Sequence, residues 1–137
     1  MKYISPYKVT DAKDTLKKIS QYDGVIIFGT GNCGAIVQSA LKKLNIKILG
    51  LSDNNKHKWN KVIDDDKIIS PANLKETNNR IPIIIAVDLN FPYIRKQLKS
   101  MNLTNVYDSD FVFSEIDINL DKVKNVTWSE TKFKQKI

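Results

Sequence analysis

Three glycines, Gly29, Gly31 and Gly34, stand in Gly-x-Gly-x-x-Gly spacing right after the apolar run Val25-Ile26-Ile27-Phe28. A helix-period pattern begins at Asn32 without a gap. In a strand–turn–helix unit each glycine has its own task. Gly29 permits the tight turn off the strand, Gly31 lets a phosphate approach the backbone, and Gly34 lets the helix lie close on the sheet. The N–H groups and positive dipole end of that helix attract an anion without any basic side chain. A second apolar run, Lys47-Ile48-Leu49-Gly50-Leu51, leads to Asp53, twenty-four residues beyond Gly29. An acid about 20 residues on is placed to reach a ribose hydroxyl. Capping of the loop by Asp53 is the equal alternative on turn chemistry.

The sequence carries none of the common catalytic constellations. A Tyr-x-x-x-Lys proton relay is absent, since Tyr93 is followed four residues on by Gln97. No Gly-x-Ser-x-Gly elbow and no Walker lysine occurs. Cys33 lies where a helix N-terminus would stabilise a thiolate, yet it reads first as a small packing residue. His57 has no carboxylate or cysteine at ligand spacing and reads as a loop residue. Asp64, Asp65 and Asp66 point different ways along the chain and read as a solvated turn. One cysteine and one histidine exclude the usual zinc clusters and an internal disulfide, so no metal site is expected. The residues favour binding, and no catalytic residue is assigned.

The elements that must position these residues alternate. Asp11 to Gln21 is predicted as a helix capped by Thr10 or Asp11, with Ala12, Leu16 and Ile19 on one face. Strand one, residues 24–28, is apolar throughout, as a central parallel strand should be. Helix one runs from Asn32 to about Asn45 and buries Ile36, Val37, Ala40, Leu41 and Leu44. Strand two ends near Asp53, and a polar loop continues to Lys61. Lys67-Ile68-Ile69-Ser70 is a third strand, and Ser70-Pro71 starts a helix with serine as N-cap. Residues 81–87 form strand four. Asp88 or Asn90 then caps a helix whose core face is Ile94, Leu98 and Met101, and Asn105-Val106-Tyr107 is strand five. This alternation predicts an α/β, doubly wound, Rossmann-like parallel sheet of about five strands in order 3-2-1-4-5, with an extra N-terminal helix. Residues 1–23 are the lead-in and helix, 24–113 the nucleotide-binding domain, and 114–137 a tail or linker, docking segment or added edge strand.

Composition limits the partners. At 137 residues the chain accommodates one domain. No apolar run approaches the roughly 20 residues needed to span a bilayer, and the start has no signal-peptide core, so no membrane partner and a cytoplasmic location are expected. The net charge is +7, from 22 basic against 15 acidic residues. The lysines are scattered, and only Arg80 and Arg95 supply the guanidinium forks that base and phosphate recognition favours. With no helix-turn-helix, RNP-type or zinc pattern, nucleic acid is not the expected partner.

A strand ending in Gly-x-Gly-x-x-Gly, a strand ending in Asp53-Asn54, a loop with Lys58 and Trp59, and Ile69-Ser70-Pro71-Ala72-Asn73-Leu74 together resemble a bacterial Rossmann-like domain of sugar-nucleotide enzymes. The likeness spans residues 24–113. It is to the N-terminal nucleotide-sugar-binding domain of sialic-acid and bacillosamine-type sugar acetyltransferases, with similar domains appended to other surface-polysaccharide enzymes. The resemblance implies a nucleotide-sugar ligand, with NAD(H) second, in surface-polysaccharide biosynthesis. Gly29, Thr30, Gly31, Asn32, Cys33 and Gly34 would form the phosphate loop. Asp53 and Asn54 would face the nucleoside, and Ala86, Val87 and Asp88 would close the other side. The hexapeptide repeats that carry the acetyltransferase histidine are not in this sequence. Cys33 replaces a frequent histidine, and Asn60 replaces a frequent glycine. The resemblance thus implies a recognition domain or accessory subunit, working with a partner enzyme domain or as a homo-oligomer. An NAD-dependent oxidoreductase or sugar-modifying enzyme, and a ligand-free interaction module, are the alternatives.

Overall fold

The computed structural model describes residues 9–87 and 90–113. Nine regular elements follow in order: α1 (Val9–Ile19), β1 (Val25–Phe28), α2 (Asn32–Lys43), β2 (Ile48–Ser52), β3 (Val62–Ile63), β4 (Asp66–Ile69), β5 (Ile83–Ile85), α3 (Phe91–Ser100) and β6 (Val106–Asp108). The strands form one sheet in order β3-β4-β2-β1-β5-β6. All neighbours are parallel except the β3–β4 hairpin. The five predicted strands are β1, β2, β4, β5 and β6 in the predicted order, and β3 is an additional edge.

Strand parity sorts the core into two layers. Val25 and Ile27 of β1, Ile84 of β5 and Ala86 pack on one face against Ala12 and Ile19 of α1, Val37, Ala40 and Leu41 of α2, and Phe111 and Val112. Ile26, Phe28, Ile83 and Ile85 pack on the other face against Leu74, Ile94 and Leu98. Full burial of one such side chain contributes about 1.5–3 kcal/mol, against about 0–1 kcal/mol for an exposed ion pair. The two apolar layers therefore contribute more to stability than the surface ion pairs.

Two expectations are corrected. The segment after Ser70 is a 3-10 turn sequence, Pro71–Thr77, rather than an α-helix. It stops where Asn78 and Asn79 turn left-handed, with φ of 47° and 62°. The N-terminal helix already includes Thr10 and Asp11, so neither is its cap. The Asp64–Asp66 run is a turn, as read, exposed at Asp64 and Asp65, and it closes a hairpin: both residues have positive φ, 52° and 71°, the geometry of a two-residue hairpin. α2 holds that hairpin. The buried Gln38 Nε2 donates to the Ile63 carbonyl and to Asp66 Oδ2 at 3.0 and 2.8 Å. Lys42 Nζ lies 3.1 Å from Asp64 Oδ2 and 3.0 Å from Asp66 Oδ2.

Asn60 is left-handed, φ 69°, a conformation asparagine tolerates in place of glycine. Asn90 occupies the N-cap of α3 without a side-chain cap bond. Asp88 and the tail from Ser114 lie outside the described residues, as do the alternatives offered for that tail. No helix among the described residues is long and apolar enough to cross a membrane.

Candidate nucleotide site at the carboxyl edge of the sheet

Parallel strands place their carboxyl ends on one edge, and the candidate residues follow those ends. The Gly29 N–H donates to the Ser52 carbonyl at 2.8 Å, and the Ala86 N–H donates to the Phe28 carbonyl at 2.8 Å. The loops after β1, β2 and β5 are thereby held side by side. Gly29 to Gly34, Asp53, Asn54, Ala86 and Val87 converge there. Ala86 belongs to one core layer and Val87 to the other, so these two form the wall beside Gly29.

The three glycines are not equivalent. Gly29 has φ +118°, and a Cβ there would overlap the Ala86 carbonyl oxygen and sit 2.9 Å from Val87 Cγ1. At Gly34 a Cβ would overlap the Gly29 carbonyl oxygen. Both are therefore required by the fold. Gly31 differs: its φ of −86° suits any residue, and a Cβ there would meet nothing within 4 Å. Packing therefore does not require that glycine, and the space above it is open.

Gly31 is the N-cap of α2, which has no side-chain cap and no acidic residue in its first turn. The Ala35 N–H donates to the Gly31 carbonyl at 3.0 Å, and helix geometry leaves the N–H groups of the first turn without intrahelical acceptors. Asn32 and Cys33 are part-buried within that turn. Cys33 packs against the first core layer, the packing role its sequence position suggested.

Asp53 ties the loops together. Its Oδ2 accepts from the Thr30 N–H at 3.0 Å and from Thr30 Oγ1 at 2.7 Å, and its Oδ1 accepts from the Asn55 N–H at 2.8 Å. Lys58 Nζ donates to Thr30 Oγ1 at 3.2 Å and lies 4.0 Å from Asp53 Oδ2. Burial pushes the Asp53 carboxyl up, but the bonds from Thr30 and Asn55 and the Lys58 charge outweigh it and hold the group below its ordinary value. Asp53 thus acts as a loop cap in this structure. Three bonds use most of the roughly four acceptor positions of a carboxylate and leave one on Oδ1.

Two participants escaped the sequence reading. Lys58 places a cation against the glycine loop at Thr30; the signal was its place in the polar loop after strand two. Gln97 of α3 pairs with Asn54 through both amide groups, so Asn54 faces α3 across the loop after β1. No sequence signal linked residues so far apart. Among the described residues, no three His, Cys, Asp or Glu side chains gather as metal ligands.

The profile of the family described as C2185-like, N-terminal, matches residues 21–106, which contain the glycine loop, Asp53 and β5. The chain belongs to that family. No curated protein matches this C2185-like domain significantly. Among solved structures, it is similar to UDP-D-quinovosamine 4-dehydrogenase from Vibrio fischeri, at 18% identity over 64% of this chain and 77% of that one, with a TM-score of 0.48. It is also similar to RSP, a Rex-family repressor, at 19% identity over 85% and 69% of the chains, with a TM-score of 0.48. RSP in complex with beta-NADH matches at 19% identity over 86% and 71%, with a TM-score of 0.47. Likeness at this level concerns the Rossmann-like fold.

Proposed function

We propose that this C2185-like domain binds a nucleotide, and specifically a nucleotide-sugar, as a substrate-recognition domain or accessory subunit in bacterial surface-polysaccharide biosynthesis. The diphosphate lies over Gly31 at the N-terminus of α2, where backbone N–H groups and the helix dipole meet it. Gly29, Thr30, Asn32, Cys33 and Gly34 shape that loop, and Lys58 adds a cation at its mouth. Asp53 holds the loop through Thr30 and keeps one acceptor position for a hydroxyl. Ala86 and Val87 bound the other side, where the sequence resemblance also assigns Asp88, a residue outside the described ones. The observation that supports this reading is Gly31, a glycine that neither backbone conformation nor packing requires. The sugar-nucleotide assignment rests on the sequence resemblance around Asp53-Asn54 and Ile69-Ser70-Pro71.

A thermal-shift series with UDP-, GDP-, CDP- and dTDP-sugars and NAD(H), on the parent and Gly31→Val, tests it. A ligand at 100 times its dissociation constant adds about 2.7 kcal/mol of stability. One nucleotide-sugar stabilises the parent and not the folded variant. Stabilisation by NAD(H) alone replaces the ligand with a dinucleotide, and a flat response to every nucleotide contradicts the reading.

A further inference from the structure

Asn54 and Gln97 exchange two hydrogen bonds. Asn54 Nδ2 donates to Gln97 Oε1 at 2.9 Å, and Gln97 Nε2 donates to Asn54 Oδ1 at 2.8 Å. Asn54 lies two residues past β2, and Gln97 lies on α3, which follows β5. Because β2 and β5 flank β1 on opposite sides, the pair bridges the crevice beside the loop that starts at Gly29.

A primary amide presents a donor next to an acceptor, and so does the edge of a nucleobase. This is why asparagine and glutamine read adenine with two bonds. What each amide offers the other here, it can offer a base. Asn54 is the one held in place. The carbonyl of Asp53 accepts from the Trp59 indole at 2.7 Å, Asp53 Oδ1 accepts from the Asn55 N–H at 2.8 Å, and Asn55 Oδ1 accepts from the His57 N–H at 3.1 Å. These bonds fix the backbone on either side of Asn54. Gln97, part-buried on α3, has one more rotatable bond than Asn54 through which its amide can turn aside.

We propose that Asn54 is the base-reading side chain of the site and that Gln97 is its internal competitor. The inference rests on the phosphate-loop reading above and adds the side chain that contacts the base. The ligand is a nucleoside diphosphate whose base carries an adjacent donor and acceptor on one edge. Affinity is lowered by the fraction of molecules in which Gln97 occupies Asn54. Removing the competitor therefore strengthens binding, whereas removing the reader weakens it.

Isothermal titration calorimetry of the full chain with ADP, UDP and inorganic pyrophosphate tests this on the parent, Asn54→Ala and Gln97→Ala. Asn54→Ala weakens the preferred nucleoside diphosphate about tenfold, within the range of a two-bond base contact. Gln97→Ala tightens it, by about threefold for a modest net hydrogen-bond free energy. Pyrophosphate affinity stays unchanged in both, which also reports that each variant is folded. Effects of the same sign in the two variants, no effect in either, or an equal effect on pyrophosphate overturns the proposal. A parent that binds pyrophosphate as tightly as either nucleotide overturns the base reading alone. A parent that binds none of the three overturns the phosphate-loop reading and this one with it.

Discussion

Adding one methyl group in turn at Gly29, Gly31 and Gly34 separates the glycines the fold needs from the one it does not. At Gly29 the methyl group meets the Ala86 carbonyl and Val87 Cγ1, and the residue must hold φ +118°. Backbone strain of about 1–2 kcal/mol adds to overpacking of about 1–3 kcal/mol. At Gly34 the obstacle is the Gly29 carbonyl, which belongs to the turn and cannot swing away. Overpacking of about 3 kcal/mol there is offset by about 1 kcal/mol of improved helix propensity. Gly31→Ala meets nothing and loses only a few tenths to about 1 kcal/mol of N-cap preference. For a domain of this size 1 kcal/mol moves the melting temperature by about 4 °C. Calorimetric melts should therefore fall by about 8–20 °C for Gly29→Ala and about 8 °C for Gly34→Ala, but by no more than about 4 °C for Gly31→Ala. If Gly31→Ala melts as low as Gly34→Ala, Gly31 is a structural glycine and the argument for an external anion fails.

Further outcomes follow from the contacts. Asp53→Asn keeps the shape but sets an amide donor against the Thr30 and Asn55 donors, and urea melts at pH 7 should show a loss of about 1–3 kcal/mol. Since the folded Asp53 carboxyl lies below its ordinary value, its contribution is complete above about pH 3.9 and is lost as pH falls through the folded value. The parent's stability should fall more steeply than the variant's over that acid range, and parallel pH profiles would exclude the assignment. Gln38→Leu removes the donor to the Ile63 carbonyl and one of the two partners of Asp66 Oδ2, which keeps Lys42, and should cost about 1–3 kcal/mol. Lys42→Met, at a more exposed ion pair, should stay below about 1 kcal/mol in the same melts. Trp59→Phe retains an aromatic ring but loses the bond to the Asp53 carbonyl, and urea titration should register about 1 kcal/mol.

The doubly wound core was readable because its signal is local and repeated. Val25 to Phe28 and Ile83 to Ile85 are apolar on both faces, and the glycine turn joins strand to helix without a gap. The β3–β4 hairpin was not readable. Two residues, Val62 and Ile63, carry no period, and a turn built by two aspartates resembles a charge run. Its anchor, Gln38, is a polar residue in an apolar helix face, meaningful only once the hairpin is beside it. Pro71 correctly marked a helical start, but the left-handed Asn78 and Asn79 ended it before an α-helix formed. At the site, Gly29, Gly31, Gly34 and Asp53 were legible from spacing. The distinction between Gly31 and the other two was not, because it depends on where the Ala86 and Gly29 carbonyls lie. Nor was the Asn54–Gln97 pair, which joins residues 43 positions apart.

Backbone amide shifts in a 15N-resolved NMR titration with UDP and inorganic pyrophosphate test the central claim most directly. Both probes should shift the amides of Gly31, Asn32 and Gly34 most, and Gly31→Val should abolish those shifts while leaving the rest of the spectrum intact. Shifts centred elsewhere, for example on the β3–β4 hairpin, or persistence of the full response in Gly31→Val, would contradict the claim.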